Sequence, residues 1–140
     1  LAAISPGSDL VIQGLVGTSM VRELCKLYDT PVRDLDIDRF FNFSQGQIRK
    51  TTPLLLAVAG NAMKSFPGIG TITGGLTHAL AYGLIFDALG KAVQKTLQQR
   101  GELAPAPAAL SFGDYLRKNM RDSTGKMTRL VVEQARENRP

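Results

Sequence analysis

Residues 51–86 read TTPLLLAVAGNAMKSFPGIGTITGGLTHALAYGLIF, and they contain a single charged side chain, a lysine. The first three residues favour a helix start, with Thr52 as the cap and Pro53 at the first helical position. Pro67 and Gly68 must interrupt this helix, because proline lacks the backbone donor and glycine tolerates a turn. The segment therefore predicts two apolar helical arms joined by a turn.

The second arm is predicted to begin near Thr71 and to run to Arg100, where Gly101 supplies a C-terminal stop. The first arm is apolar on all sides over residues 54–59, which is typical of a helix buried by several neighbours. No segment of the sequence shows the alternating pattern of a strand. We therefore expect an all-α fold, a helical bundle around a central apolar hairpin of about residues 52–100.

The sequence before the hairpin predicts two further helices. The first ends near Asp29, and its apolar side chains follow one stripe with flanking residues on either side. The stripe comprises Ile12, Val16, Met20, Leu24 and Tyr28, and the flanking residues are Leu15, Val21, Cys25 and Leu27. Thr30 and Pro31 then repeat the cap-plus-proline signature of a helix start. This second helix is short, since the polar residues 42–50 fit either a loop or the start of the next helix.

The sequence after the hairpin predicts an extension. Residues 1–101 are expected to form the core of the bundle, and residues 102–110 a stiff connector, because they are rich in alanine and proline. Ser111, followed three positions later by Asp114, has the spacing of a capping box that opens a helix. Residues 111–140 are therefore interpreted as a C-terminal helical extension that packs on the same domain.

Composition limits the possible chemistry. The 140 residues carry a net charge of +5, with 44% hydrophobic and 21% charged residues, a balance that excludes wholesale disorder. Cys25 is the single cysteine, so it cannot form an internal disulfide, and with one histidine it cannot make a zinc site. No metal or cofactor is predicted. Because the chain opens on Leu-Ala-Ala-Ile, we take it to be a piece of a longer polypeptide.

No residue pattern predicts catalysis, and we expect this chain not to be an enzyme. His78 lacks a carboxylate or nucleophile at a spacing that would make a catalytic pair. Asp87 interrupts an apolar helix, so we expect it in a structural ion pair or an interface contact. Residues 123–126 read STGK, like the end of a phosphate-binding loop, but Met120 stands where the first glycine belongs, and no strand precedes it.

Small residues recur in the second arm at helical spacing. Gly75, Ala79 and Gly83 lie four positions apart, which allows two helix backbones to approach closely. Since a glycine inside a helix costs ~1 kcal/mol relative to alanine, we expect a compensating contact, within the domain or across a dimer. The first arm would be only ~20 Å long, short of the ~30 Å hydrocarbon core, so no membrane span is predicted.

Several segments resemble a known bacterial family. They read SPGSDL over residues 5–10, ELCKLY over 23–28, GNAMKSFPGIG over 60–70, GG over 74–75 and ALG over 88–90. The family is a helical domain of unknown function, found C-terminal to Era-like GTPase domains and in YcjF-like inner-membrane proteins. The similarity covers roughly residues 4–100. It implies a helical module attached to a GTPase or a membrane protein, and it implies no reaction.

The expected function is that of a non-catalytic accessory domain, which couples a GTPase-associated or membrane-associated bacterial protein to a partner or a membrane surface. Expected partners are a GTPase domain in the same polypeptide or complex, a membrane surface and a second copy of the chain, but not nucleic acid. The expected location is the cytoplasm, at the periphery of the inner membrane. Two alternatives stay open, a membrane-active hairpin and a small-ligand-binding domain with His78 or Asp87 in its pocket. Structural and interaction roles fall on Pro67, Gly68, Gly70, Gly75, Ala79, Gly83 and Asp87.

Overall fold

Five helices and no strand make up the regular structure of residues 6–65 and 74–137, the parts of the chain that the computed structural model describes, with side chains from residues 16 and 75 onward. The helices are α1 Pro6–Leu27, α2 Asp34–Ser65, α3 Gly74–Arg100, α4 Pro105–Asp122 and α5 Thr124–Glu137. The predicted all-α bundle is confirmed. α3 contacts every other helix, and the two most extensive interfaces join α4 to α3 and to α2. The second arm of the predicted hairpin therefore lies at the centre of the bundle.

α2 is longer than the sequence indicated. The predicted helix start at Thr52 and Pro53 is wrong, because both residues lie inside this 32-residue helix. The hydroxyls of Thr51 and Thr52 each donate to a carbonyl four residues earlier, at 2.6 Å, as they can only in an unbroken helix. Pro53 removes one backbone bond. Apolar side chains are buried both before and after Pro53, from Ile37 to Met63, and their burial outweighs the local cost of the lost bond.

The second half of α2 buries only one of its faces. Leu55, Ala59 and Met63 are at most 2% exposed and follow one another at four-residue spacing, whereas Leu54 is 57% exposed. The expectation of a first arm buried on all sides is therefore wrong, because only one face meets neighbouring helices. The polar residues 42–50, which fitted a loop or a helix, belong to the same continuous helix.

α3 ends where the sequence predicted. Gly101 adopts a left-handed φ of +69°, and its N–H donates to the Leu97 carbonyl at 3.0 Å, which closes the last turn after Arg100. Leu80 and Leu84 are fully buried, as expected of core positions in the second arm.

Most of the segment predicted to be a connector, residues 105–110, forms the first part of α4. This helix begins at Pro105, so only residues 101–104 join it to α3. Proline fits the first turn of a helix, where its missing N–H leaves no bond unmade, and alanine has the highest helix propensity. Ser111 lies in the middle of α4, which overturns the capping-box interpretation. The prediction failed because alanine and proline suit a helix start as well as a stiff linker.

The most buried residues of α1 belong to the predicted flank of the apolar stripe and not to the stripe itself. Val21 and Cys25 are at most 1% exposed, whereas Val16, on the predicted stripe, is 49% exposed. A Cβ atom on Gly17 would lie 2.7 Å from Cζ of Phe41. This glycine therefore makes room for the Phe41 ring of α2, on the same line of α1 as Val21 and Cys25.

The predicted helix start at Thr30 and Pro31 is also wrong, since α2 begins at Asp34. Asp29 adopts a left-handed φ of 52°, and the N–H of Thr30 donates to the Cys25 carbonyl at 2.8 Å. These features close the C-terminal end of α1. The threonine therefore serves the exit from one helix and not the entry into the next.

Candidate functional site

A polar groove of about 440 Å³ lies between α3 and α4, and we call it the α3–α4 groove. It is lined by Lys91, Gln94, Lys95, Gln98, Gln99, Tyr115, Lys118, Asn119 and Ser123. The two helices run antiparallel here, because Asn119 contacts Asp87 while the earlier Tyr115 contacts the later Lys95. The groove thus follows the half of α3 that turns from apolar to polar.

One end of the groove is built on the buried side chain of Asn119. Its Nδ2 donates to the Leu84 carbonyl at 3.1 Å and to Oδ2 of Asp87 at 3.0 Å. Nζ of Lys91 lies 2.8 Å from the same Oδ2. Asp87 therefore takes part in the structural ion pair that its place in an apolar helix predicted, and both of its partners belong to the groove wall.

Two contacts hold the middle of the groove. Nζ of Lys95 lies 5.9 Å from the centroid of the Tyr115 ring, within the range of a cation–π interaction. Nε2 of Gln98 donates to the hydroxyl of Tyr28 at 2.8 Å, which ties this wall to the end of α1. Both contacts restrict long side chains that otherwise sample many rotamers.

The lining of the groove is positively charged. Three lysines and no carboxylate contribute to it. Asp87 offsets the charge of Lys91, whereas Lys95 and Lys118 form no ion pair within the described parts of the chain. A site with this balance of charge attracts anions.

The other residues singled out from the sequence do not come together. Gly75 and Ala79 are exposed on α3, and the half-buried His78 is not part of the α3–α4 groove. Asp87 alone reaches the groove, through Lys91 and Asn119. Pro67, Gly68 and Gly70 of the predicted turn lie outside the described residues. Thr71, the predicted start of the second arm, does so too.

Gly83 does lie at a close helix contact, and its neighbour is α5. A Cβ atom on Gly83 would lie 2.9 Å from Sδ of Met127. The expected small-residue face is therefore divided, since Gly83 packs closely while Gly75 and Ala79 are exposed. An apolar groove of about 410 Å³ lies between the same two helices, lined by Leu76, Ala79, Leu130, Val131, Gln134 and Ala135.

Sequence reasoning missed the α3–α4 groove. Lys91 and Lys95 follow one another at four-residue spacing in the second arm, as do Gln94 and Gln98. That repeat was the available signal. The opposite wall was out of reach, because α4 was predicted to begin at Ser111 and nothing indicated which helix it would face.

The titratable groups of the described residues give no metal centre. Among them, no group of three or more His, Cys, Asp and Glu side chains could hold a metal ion.

Cys25 is buried, and its removal from water raises the pKa of its thiol. Over the described ranges of the chain, no helix combines the length and the apolarity needed to cross a bilayer.

Part of the sequence that carries the family resemblance acts in packing, while Glu23, Lys26 and Leu27 in one of its segments are exposed. Cys25, Met63 and Leu89 stand in three of its segments, and all three are at most 2% exposed. None of them lines the α3–α4 groove. Comparison of the chain with protein-family models, curated proteins and solved structures found no match.

Proposed function

We propose that this chain is a non-catalytic accessory domain that couples a GTPase domain, in the same polypeptide or complex, to a partner at the periphery of the bacterial inner membrane. The observation that carries the proposal is the burial of the motif residues Cys25, Met63 and Leu89. Buried positions of this kind maintain a scaffold and supply no reacting group. The link to a GTPase rests on the motif resemblance.

Exposed apolar side chains support an interaction role. Phe43 and Leu54 are 52% and 57% exposed on α2. They are eleven positions apart, close to three helical turns, so they lie on the same face of the helix, ~16 Å apart along its axis. Both side chains are available to contact a single partner that lies along this face.

The charge of the chain supports a location beside an anionic surface. The net charge is +5, and the cytoplasmic leaflet of a membrane attracts basic segments over distances of about one Debye length. This attraction is weak for any one residue and adds up over many. It supports a position near the membrane that requires no part of the domain to cross.

The first experiment concerns nucleotide. Residues 123–126 lack the glycine that a phosphate-binding loop needs at Met120. We therefore expect calorimetry on the isolated chain to detect no binding of GTP. If a GTPase domain stands in the same polypeptide, deletion of residues 1–140 should leave its GTP binding intact and abolish association with the membrane fraction. Micromolar affinity of the isolated chain for GTP would contradict the accessory role.

The second experiment separates an accessory domain from a membrane-active hairpin. The chain is mixed with vesicles that contain anionic lipid, and flotation is measured at low and high salt. Peripheral attraction predicts binding that 1 M salt releases, because the Debye length falls to about 3 Å. Binding that survives high salt would favour insertion of the hairpin instead, and the proposal would then be wrong.

A further inference from the structure

We propose that the α3–α4 groove binds a phosphorylated polyol, either a soluble sugar or inositol phosphate or the same chemistry on a lipid headgroup. The proposal is independent of the accessory role and would hold whether or not a GTPase domain is attached. It rests on the charge, the order and the size of the groove.

The charge of the lining selects an anion. Asp87 already offsets Lys91, so the unpaired charge of the groove comes from Lys95 and Lys118 on opposite walls. A ligand that reaches between α3 and α4 meets both ammonium groups and no carboxylate of the lining. Lysine binds phosphate as a point charge that requires no fixed geometry, which suits two lysines on separate helices.

Side chains in both walls of the groove are already restrained, which lowers the conformational entropy lost when a ligand binds. Asn119 is fixed by its bonds to Asp87 and to the Leu84 carbonyl, and Lys91 is fixed by Asp87. The ring of Tyr115 holds Lys95 across the groove. Side chains that are already restrained lose less conformational freedom when a ligand arrives.

The size and the remaining polar groups indicate a small molecule with hydroxyl groups. The volume of about 440 Å³ falls within the range of small-molecule sites, roughly 300–1,000 Å³. The lining extends over eight residue steps of each helix, or ~12 Å, which is short for a docked peptide. The amides of Gln94 and Gln99 and the hydroxyl of Ser123 offer both donors and acceptors, as the hydroxyls of a polyol require.

The test uses a groove variant and a matched control. Lys95→Gln with Lys118→Gln removes two charges from the groove, and Lys50→Gln with Lys64→Gln removes two from exposed positions on α2. The probe is inositol trisphosphate, titrated by calorimetry. We expect the natural chain to bind it, the groove variant to lose at least about tenfold in affinity and the control to lose less than about threefold. Equal losses would overturn the proposal, because they would show attraction to the net charge alone.

Vesicles distinguish the two sources of the phosphate. Vesicles of phosphatidylcholine with and without a phosphorylated phosphatidylinositol are compared in flotation, and soluble inositol trisphosphate is added as competitor. Binding to the phosphorylated vesicles that the competitor abolishes assigns a lipid headgroup, while binding of the soluble probe alone assigns a free metabolite.

Two results would show that the groove is not such a site. The first is that the natural chain binds neither the soluble probe nor the phosphorylated vesicles. The second is that it binds an acidic peptide such as poly-glutamate more tightly than both. Thermal unfolding of each variant checks its fold. If the double groove variant unfolds, Lys118→Gln alone is used, since this side chain is exposed and forms no ion pair with the described residues.

Discussion

α3 carries two unlike interfaces, a deep one with α4 and a shallow one with α5. α4 buries Phe112, Leu116 and Asn119 almost completely, and it does so against α2 and α3 together. α5 buries only Thr128 and Val132, and its side chains leave an apolar groove open beside α3.

The difference shows that a helix can contribute to the buried core even when its sequence lies outside the segment predicted to form that core. Both helices lie after the predicted core of residues 1–101, yet α4 is part of the core because α2 and α3 cover it. Hydrophobic stabilisation grows with the apolar area removed from water, so α4, which forms the two most extensive interfaces of the bundle, gains more than α5, whose contacts with α2, α3 and α4 are all smaller. We expect the two interfaces to differ in the free energy that they contribute to folding.

The largest expected effect comes from the same substitution at both interfaces. Leu84→Ala should lower the free energy of unfolding by ~2–5 kcal/mol, because Leu84 is fully buried beneath α4 and its loss leaves a cavity. Leu130→Ala in α5 should cost less than ~1 kcal/mol, because Leu130 is 50% exposed. Chemical denaturation measures both. Equal losses would show that the interfaces are alike.

The next effect concerns the polar link between α3 and α4. Asn119→Ala should destabilise the protein by ~1–3 kcal/mol, because it removes two hydrogen bonds from a buried position. Thr128→Val in α5 is the control, since Thr128 bonds only to a carbonyl of its own helix and should cost less than ~1 kcal/mol. A larger loss for the threonine variant would reverse the comparison.

A smaller effect is expected where α3 meets α5. Gly83→Leu should cost ~1–2 kcal/mol, because the new side chain must displace Met127, whose flexible thioether can move. Adding Met127→Ala should restore part of the lost melting temperature. Size-exclusion chromatography runs in parallel. A folded variant that loses a dimer would assign this face to a contact between copies, and unchanged stability and size would show that the face packs against nothing.

The smallest expected change in the free energy of unfolding concerns two buried hydroxyl groups. Oγ of Ser44 is buried without a hydrogen-bond partner in the described residues, so Ser44→Ala should raise the free energy of unfolding by up to ~1 kcal/mol. Thr96 is equally buried, but its hydroxyl donates to the Ala92 carbonyl at 3.0 Å. Thr96→Ala should therefore lower stability. Destabilisation by Ser44→Ala would indicate that its hydroxyl finds a partner in solution.

Local sequence signals succeeded where one residue controls one backbone geometry. Gly101 ends α3 because a left-handed residue is needed there and glycine adopts it without strain. Local sequence signals failed at Pro53, Ser111 and Pro31. Proline and serine occur both inside and outside helices, and the packing of the surrounding chain decides which. A capping signature has a value of about 1 kcal/mol, and the burial of a long helix face exceeds it.

The sequence by itself determined that the chain folds into helices and that the second arm lies in the core. Its apolar spacing, its lack of strand alternation and its glycine stop are local properties that every fold of this chain must satisfy. Only the tertiary structure decided that α4 covers α2 and α3, that Gly83 meets Met127, and that lysines from two helices share one groove. The physical reason is that helix pairing depends on how whole faces fit one another, and that fit is a property of residues far apart in the sequence.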